Sequence, residues 1–445
     1  MFFRFIPAMA RTPRSERRKD SIHFGLVEET RDEGRKNLKE GKRLDLYITA
    51  NSPGEIAGRV VPLVRAIRAR VRRCRITLVI LPCQYASGSE LSMAEGVEVD
   101  RCVGIRRLGS LIQSESRGQD NEKCLVLHMG GDVLFAIYVS RRLKAPLWVY
   151  ASRPRWGRFV DRFFVPDQRA IDRFVSLDYP KERYERIGEI SLDSVVLNAT
   201  EEESRERLGL SPEEPVLTFL TGSRPIEYCE GVPYFARIAS GILDSFPGHR
   251  VFFPLAPTVR EDLLEDAVKN ASLEWKGKSR IHALNLGKGR WASVVRGMTL
   301  EVLNCSTLAI AVPGTNNLQA AALYVPYIMV LPLDGADEYP LDGLMGLLPL
   351  SFPGVRMLKK AYIMRLNEKT EFVSLPNKMA GKELAPEIRG IFEPEEVVKS
   401  AVSLLGSPKK LKEMSRAFFE LTHERGASAR LAARVVDWTS ENGRG

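Results

Sequence analysis

From Leu44 onward, short apolar runs alternate with amphipathic stretches. Leu46–Ala50, Ile76–Leu81, Leu125–Met129 and Leu147–Ala151 each read as a strand buried on both faces, because the runs are nearly continuous in apolar residues. Between the first two, Val60, Val64, Ile67 and Val71 recur at helical spacing and form one apolar stripe, with Arg65, Arg68, Arg72 and Arg73 turned elsewhere. A second series runs through Val216–Leu220, Val251–Pro254, Leu308–Val312 and Tyr327–Leu331. Strands separated by helices predict parallel sheets joined by crossovers, so the chain reads as an α/β protein whose architecture is built twice. The acidic, Pro-containing stretch from Glu201 to Pro215 is the linker candidate. After Phe392, Pro394 and the pair Ser407-Pro408 open helical segments that reach to about Trp438.

A chain of 445 residues is long enough for two cores. Four segments follow: a basic, flexible extension over 1–43, a first domain over 44–205, a second over 206–393, and a helical tail over 394–445 expected to pack across both. The net charge of +10 favours phosphates or anionic lipid surfaces. Nucleic acid is not expected, because the 8% of aromatic residues are not interleaved with basic ones in any recognition motif. No stretch approaches the roughly 20 apolar residues that span a bilayer, and the run Met1 to Ala8 is too short for a signal peptide. Six widely spaced cysteines, without metal-binding or redox pairs, suit a reducing compartment. A cytoplasmic protein is expected.

Three turns after strands carry candidate chemistry. Thr49 to Gly58 follows the first strand, and its Asn51, Ser52, Gly54 and Glu55 open a helix whose unpaired N–H groups suit a ligand; a plain strand-to-helix turn reads equally well. Thr221-Gly222-Ser223-Arg224-Pro225 follows the first strand of the second series, and Arg224 offers a planar fork for a diphosphate. Pro313-Gly314-Thr315-Asn316 leads into a helix through Gln319, whose N-terminus also favours a diphosphate; the alternative is a simple helix cap. Asp132, in Gly130-Gly131-Asp132 after a predicted strand, is the preferred general base, with an N-cap as its structural alternative, while His128 is expected to point into the core. No Asp-x-Asp triplet occurs, and the five histidines lack ligand spacing, so neither a metal nor a cofactor is expected.

The segment Ser374-Leu375-Pro376-Asn377-Lys378-Met379-Ala380-Gly381-Lys382-Glu383-Leu384-Ala385-Pro386-Glu387 resembles the Ser-Leu-Pro-Asn-x-x-Ala-Gly-Arg-Glu-Leu-x-Pro-Glu signature of lipid-A-disaccharide synthase. In the same order upstream, Thr49 to Gly58 resembles the family's Ala-Gly-Glu-x-Ser-Gly-Asp loop, and Tyr150 to Trp156 its Tyr-x-Ser-Pro-x-x-Trp segment. Gly222-Ser223-Arg224 matches a Gly-Ser-Arg, and Gly314-Thr315 a Gly-Thr. The resemblance implies a GT-B fold, with two Rossmann-like domains whose parallel sheets face a central cleft and C-terminal helices. It implies an inverting glycosyltransferase that joins UDP-2,3-diacylglucosamine to 2,3-diacylglucosamine 1-phosphate and releases UDP. Residues 44–205 would bind the acceptor through Asn51, Ser52, Gly54 and Glu55, with Asp132 catalytic. Residues 206–393 would hold the UDP-sugar through Gly222, Ser223, Arg224, Gly314, Thr315, Asn316, Gln319, Asn377 and Glu383.

Asn51, Met129, Glu189 and Gln319 depart from that pattern, standing where Glu, Asp, His and Glu are usual. Gln319 keeps an acceptor oxygen but not a charge. A related GT-B enzyme with another UDP-sugar or lipid acceptor, a UDP-sugar epimerase, and a UDP-sugar-binding paralogue without turnover therefore stay as alternatives. The apolar and basic stretch Leu341 to Leu366, with Leu344, Met345, Leu347, Leu348, Phe352, Lys359 and Lys360, suits either peripheral contact with the inner face of a membrane or a buried helix pair. A homodimer is possible in such an enzyme.

Overall fold

The computed structural model describes residues 44–71, 73–81, 97–104, 109, 123–222, 225–256, 259–276, 281–333 and 354–441. The extension over 1–43, Ser223, Arg224, and Leu341 to Phe352 lie outside the described residues.

The first sheet is wholly parallel. Its strands are β1 (Leu44–Ala50), β2 (Cys74–Ile80), β3 (Arg101–Gly104), β4 (Lys123–His128), β5 (Leu147–Tyr150), β6 (Arg162–Val165) and β7 (Tyr184–Arg186), in the order β3-β2-β1-β4-β5-β6-β7. All seven residues of β1 are buried, as a strand covered on both faces requires. Asp45 among them is compensated by the Arg75 guanidinium of β2, whose Nε lies 2.8 Å from Oδ1. Helices α1 (Pro53–Glu55) and α2 (Val61–Arg70) are joined by a π-turn, Ile56–Val60, and α3 (Val133–Leu143) and α4 (Gln168–Ser176) follow. Leu63, Val64 and Ile67 of α2 enter the core with the β1 side chains.

The acidic stretch expected to be a linker instead begins with a helix, α5 (Glu201–Leu208). Thr200 and Glu203 form a reciprocal capping box, and Arg205 is held by the carbonyls of Ser211 and Glu214 at 3.0 Å each. Leu208 and Leu210 pack with Val216, Phe252, Val302 and Cys305, so this helix belongs to the second core.

The second sheet comprises β8 (Val216–Leu220), β9 (Arg250–Leu255), β10 (Trp275–Lys276), β11 (Ile281–Gly287), β12 (Arg290–Arg296), β13 (Leu308–Ala311), β14 (Tyr327–Pro332) and β15 (Glu387–Gly390), in the order β10-β11-β12-β9-β8-β13-β14-β15. It is parallel except for the β10–β11–β12 edge. Its helices are α6 (Pro225–Ser245), α7 (Glu261–Asn270), α8 (Thr299–Cys305), α9 (Thr315–Ala322), α10 (Val355–Lys369) and α11 (Leu375–Ala380). The tail supplies α12 (Pro394–Leu405), α13 (Pro408–Thr422) and α14 (Ala427–Glu441). Val397, Ala401, Leu411 and Phe418 pack into the second core, whereas Ala427, Leu431, Ala432 and Val435 pack into the first. The tail therefore recrosses between the halves just before Ala427. Among the described residues no helix is long and apolar enough to cross a membrane.

Candidate active site

Each sheet reverses its strand order once near its centre, at β1/β4 in the first and β8/β13 in the second. Turns leaving such neighbouring strands in opposite directions open a crevice beyond their carboxyl ends. At the first reversal, β1 runs into Asn51 and Ser52. Ser52 Oγ accepts the Glu55 N–H at 3.3 Å, and Glu55 Oε2 accepts the Asn51 N–H at 3.3 Å. The π-turn that follows widens the helix and lets Arg59 fold back. Its Nη1 stands 3.9 Å from Glu55 Oε1 and donates to the Met129 carbonyl at 3.1 Å, with the guanidinium 5.4 Å from the centre of the Tyr150 ring.

From the other side of the crevice comes the turn after β4. Gly130 has no room for a side chain, because a Cβ there would stand 2.1 Å from the Glu55 carboxylate. Asp132 is exposed and caps α3, its Oδ1 accepting the Leu134 N–H at 3.0 Å. His128 is buried, with Nδ1 2.8 Å from Thr49 Oγ1 and Nε2 3.3 Å from the Gly131 carbonyl. Burial lowers its pKa to about 4, so the ring is neutral near pH 7. Burial raises the Glu55 carboxyl above the usual carboxylate range, with Arg59 and the N–H groups of Asn51, Ser52 and Gly131 offsetting part of the effect. Glu189 is buried and accepts the Ser191 N–H at 2.9 Å. Burial opposes the charge of Arg59, but Glu189, Tyr150 and Glu55 around it outweigh that and raise its pKa.

These groups line a cavity of about 630 Å³. Its buried end holds Glu55, Arg59, His128, Tyr150 and Glu189, while Arg153, Arg155 and Trp156 stand at its exposed end. Phe372, Leu375, Lys378 and Met379 close it from the second half.

The second reversal places Thr221 and Gly222 after β8 opposite Gly314, Thr315 and Asn316 after β13. Gly222 has φ +97°, and a Cβ there would stand 2.3 Å from Glu227 Oε2. Asn317 fixes the other turn, accepting the Gly314 N–H at 3.3 Å and donating to the Val312 carbonyl at 3.2 Å. Two buried oxygens here, Thr221 Oγ1 and Gln319 Oε1, have no hydrogen-bond partner among the described residues. The two reversals meet, since a Cβ on Gly54 would lie 3.5 Å from Thr315 Cγ2.

Asn51, Ser52, Gly54, Glu55 and Asp132 are thus gathered at one reversal, and Gly222, Gly314, Thr315, Asn316 and Gln319 at the other. Asn377 and Glu383, expected at the nucleotide-sugar site, lie otherwise. Asn377 is fully buried, and its amide is committed to the Ala385 carbonyl at 2.8 Å, Glu387 Oε1 at 2.9 Å, and the N–H groups of Leu384 and Ala385 at 2.9 and 3.1 Å. Glu383 is exposed and does not line the cavity. Glu387, not singled out beforehand, accepts the N–H groups of Val373 and Ser374 at 2.9 Å each and so knots the signature together. Arg59 was also missed, although its spacing of four from Glu55 is a visible pairing signal. The cavity role of Glu189, and Arg153, Arg155, Arg169 and Arg173, carried no comparable signal.

A family model described as lipid-A-disaccharide synthetase matches residues 181–334, which include the second reversal. The lipid-A-disaccharide synthase of Myxococcus xanthus is 28% identical over 323 residues, 68% of this chain and 72% of that protein. That of Yersinia pseudotuberculosis is 25% identical over 424 residues, covering 90% and 96% respectively. Among solved structures, a putative UDP-N-acetylglucosamine 2-epimerase from Listeria monocytogenes superposes with a TM-score of 0.55 at 14% identity, covering 90% of this chain and 98% of its own. The UDP-GlcNAc 2-epimerase from Neisseria meningitidis, bound to UDP-GlcNAc, does so with a TM-score of 0.54 at 11% identity, covering 88% and 100%. At these identities the structural likeness is one of fold.

Proposed function

We propose that the chain is a glycosyltransferase of the lipid-A-disaccharide synthase family, to whose members it is similar, and that it joins UDP-2,3-diacylglucosamine to 2,3-diacylglucosamine 1-phosphate, giving lipid A disaccharide 1-phosphate and UDP. The observation that carries this reading is the meeting of two ligand crevices at Gly54 and Thr315. A transferase needs two adjoining substrate sites, whereas an enzyme that isomerises one sugar nucleotide needs one.

The donor belongs in the second half. Its diphosphate takes the unpaired N–H groups and positive end of α9 at Thr315 and Asn316, opposite Thr221 and Gly222 after β8. The partnerless oxygens of Thr221 and Gln319 suit sugar hydroxyls as donors. Asn377 acts by tying α11, which carries Leu375 and Met379, to the Leu384–Ala385 segment, and Glu383 stands outside this constellation. The acceptor belongs in the cavity of the first half, which Glu55 lines, beside the turn of Asn51, Ser52 and Gly54. Asp132 takes the proton from its attacking hydroxyl as the bond from the sugar carbon to UDP breaks and the new glycosidic bond forms on the opposite face. Negative charge developing on UDP is met by the α9 N–H groups.

Acylated substrates reside in a bilayer, and the exposed apolar side chains of α10, Met357, Leu358, Tyr362 and Leu366, are the surface we assign to peripheral contact with it.

UDP release from UDP-2,3-diacylglucosamine, measured with and without the acceptor, tests the reading. Acceptor-dependent release is expected, and Asp132→Asn should lower kcat by about 100-fold or more while UDP still binds. Isomerisation of the donor without acceptor, or tight UDP binding with no turnover, would overturn it.

A further inference from the structure

The cavity of the first half has a wall from the second. Among the described residues, Glu371, Phe372, Leu375, Lys378 and Met379 line it from that side, and all come from α11 and the turn before it. Leu375 and Met379 stand four apart on one face of α11 and also pack beside Leu192 and Val195 of the first half. The helix itself is tied to the second sheet. Asn377 donates to the Ala385 carbonyl at 2.8 Å and to Glu387 Oε1 at 2.9 Å, and Glu387 lies on β15. The wall therefore moves with the second half.

A side chain of the first half reaches across to this wall. Arg169, in the first turn of α4, donates from Nη1 to the Lys378 carbonyl at 2.7 Å. That carbonyl lies in the last turn of α11, where the helix no longer supplies an amide four residues on. A cation is favoured at such an end. Gly381 caps α11 with φ +67°, and a Cβ on it would stand 2.5 Å from Arg169 Cζ and 2.6 Å from Nη1. The guanidinium thus fills the space that a side chain at 381 would take. Glycine is needed there twice, for the left-handed backbone and for the close approach of a residue from the other half.

We infer that Arg169 is a positioning residue for transfer, a latch that holds α11 over the cavity and keeps water from the place where donor and acceptor react. The inference rests on the reading that this cavity takes the acceptor. A sugar nucleotide can lose its sugar to water as well as to an acceptor hydroxyl. In both cases the bond from the sugar carbon to UDP breaks and the incoming oxygen gives up its proton. Phe372, Leu375 and Met379 disfavour the reaction with water, because apolar side chains displace it from the cavity. Substrate entry requires the wall to open, and one charge-assisted hydrogen bond at an exposed edge is a contact that can break and re-form in each cycle. The fit of the guanidinium over Gly381 returns the wall to one register.

Disaccharide formation and total UDP release are measured in parallel on the full chain, with UDP-2,3-diacylglucosamine and 2,3-diacylglucosamine 1-phosphate. Arg169→Ala should lower kcat/KM for the acceptor by at least about tenfold and raise the share of donor lost to water, while UDP affinity by calorimetry stays unchanged. An arginine that only stabilises the fold would leave that partition alone. Arg169→Lys keeps a charged donor and should recover most of the transfer. Gly381→Ala evicts the guanidinium and should reproduce Arg169→Ala, and the double variant should be no worse than either single one. An unchanged partition, no recovery by lysine, or losses that multiply to about a hundredfold in the double variant overturns the latch. Denaturant midpoints read the contact without substrate. Gly381→Ala should lower the midpoint further in the wild type than in the Arg169→Ala background, and equal shifts remove the latch. Disaccharide formation indifferent to Arg169 removes the latch and leaves the transferase. Unequal midpoint shifts in a protein that forms no disaccharide keep the contact and remove the transferase.

Discussion

His128 sits at the end of β4 with both ring nitrogens engaged, and it carries a cost that depends on pH. Its folded pKa of about 4 lies below the 6.5 of an unhindered imidazole. The unfolded chain therefore binds a proton that the folded chain refuses between those values, so stability is present above pH 6.5 and is lost as pH falls toward 4. The shift corresponds to a contribution on the order of 3 kcal/mol. Chemical denaturation between pH 7.5 and 4 should show this decline in the wild type, and His128→Asn should flatten it; equal slopes would refute the assignment. The catalytic neighbourhood was unevenly legible at this scale. Gly130, Gly131 and Asp132 were visible because a glycine pair and a carboxylate ended an apolar run. Arg59 stands four residues from Glu55, a spacing open to view, but that its π-turn folds it onto the Met129 carbonyl across the crevice is a tertiary fact. Asn377 drew attention as a polar residue in a distinctive segment, yet its burial and full set of partners are tertiary facts that spacing does not carry.

Among the elements, α10 has an unusual division of faces. Ile363 and Lys359 turn inward, whereas Met357 is 76% exposed and Leu358, Tyr362 and Leu366 repeat at intervals of four on the outer face beside Arg365 and Lys369. Apolar groups flanked by cations suit the boundary of an anionic bilayer. Leu358→Ser/Leu366→Ser should cut sedimentation with phosphatidylglycerol vesicles by about tenfold, leaving UDP binding intact; unchanged sedimentation would exclude this helix as the contact. The sequence grouped Lys359 with Lys360 in an apolar and basic stretch that suited either membrane contact or a buried helix pair, and helical phase turns Lys359 inward. A misreading befell Glu201–Leu208. Its acidic composition suggested a connector, while Thr200 and Glu203 at capping-box spacing marked a helix start. Long aliphatic runs such as Val216–Leu220 were legible to the residue, since burial on both faces leaves little freedom in composition.

Across the whole molecule the two sheets are tied by chain crossings that meet at one place. Arg425 donates to the Ala322 carbonyl of the second half at 2.9 Å and also bonds the Leu192 carbonyl of the first. Asp193 accepts the N–H groups of Gly426 and Ser428 at 2.7 Å each and the Ser428 hydroxyl at 2.6 Å. Beside them Leu192 and Val195 pack on Leu318 and Ala322 of α9, the helix whose N-terminus we assign to the diphosphate. Any rotation of one half against the other strains these contacts, so this knot holds the two crevices at a set distance. Asp193→Ala removes the shared acceptor of three hydrogen bonds and should cost about 2–4 kcal/mol. The loss should not fall evenly. UDP binding depends on the second half and should survive. Transfer requires both crevices in register, so kcat/KM for the acceptor should drop by at least about tenfold. Calorimetry should also separate one unfolding transition into two as α14 loosens from the recrossing. A single transition with unaltered transfer would mean that the apolar contacts of Leu192 and Val195 hold the halves together without Asp193.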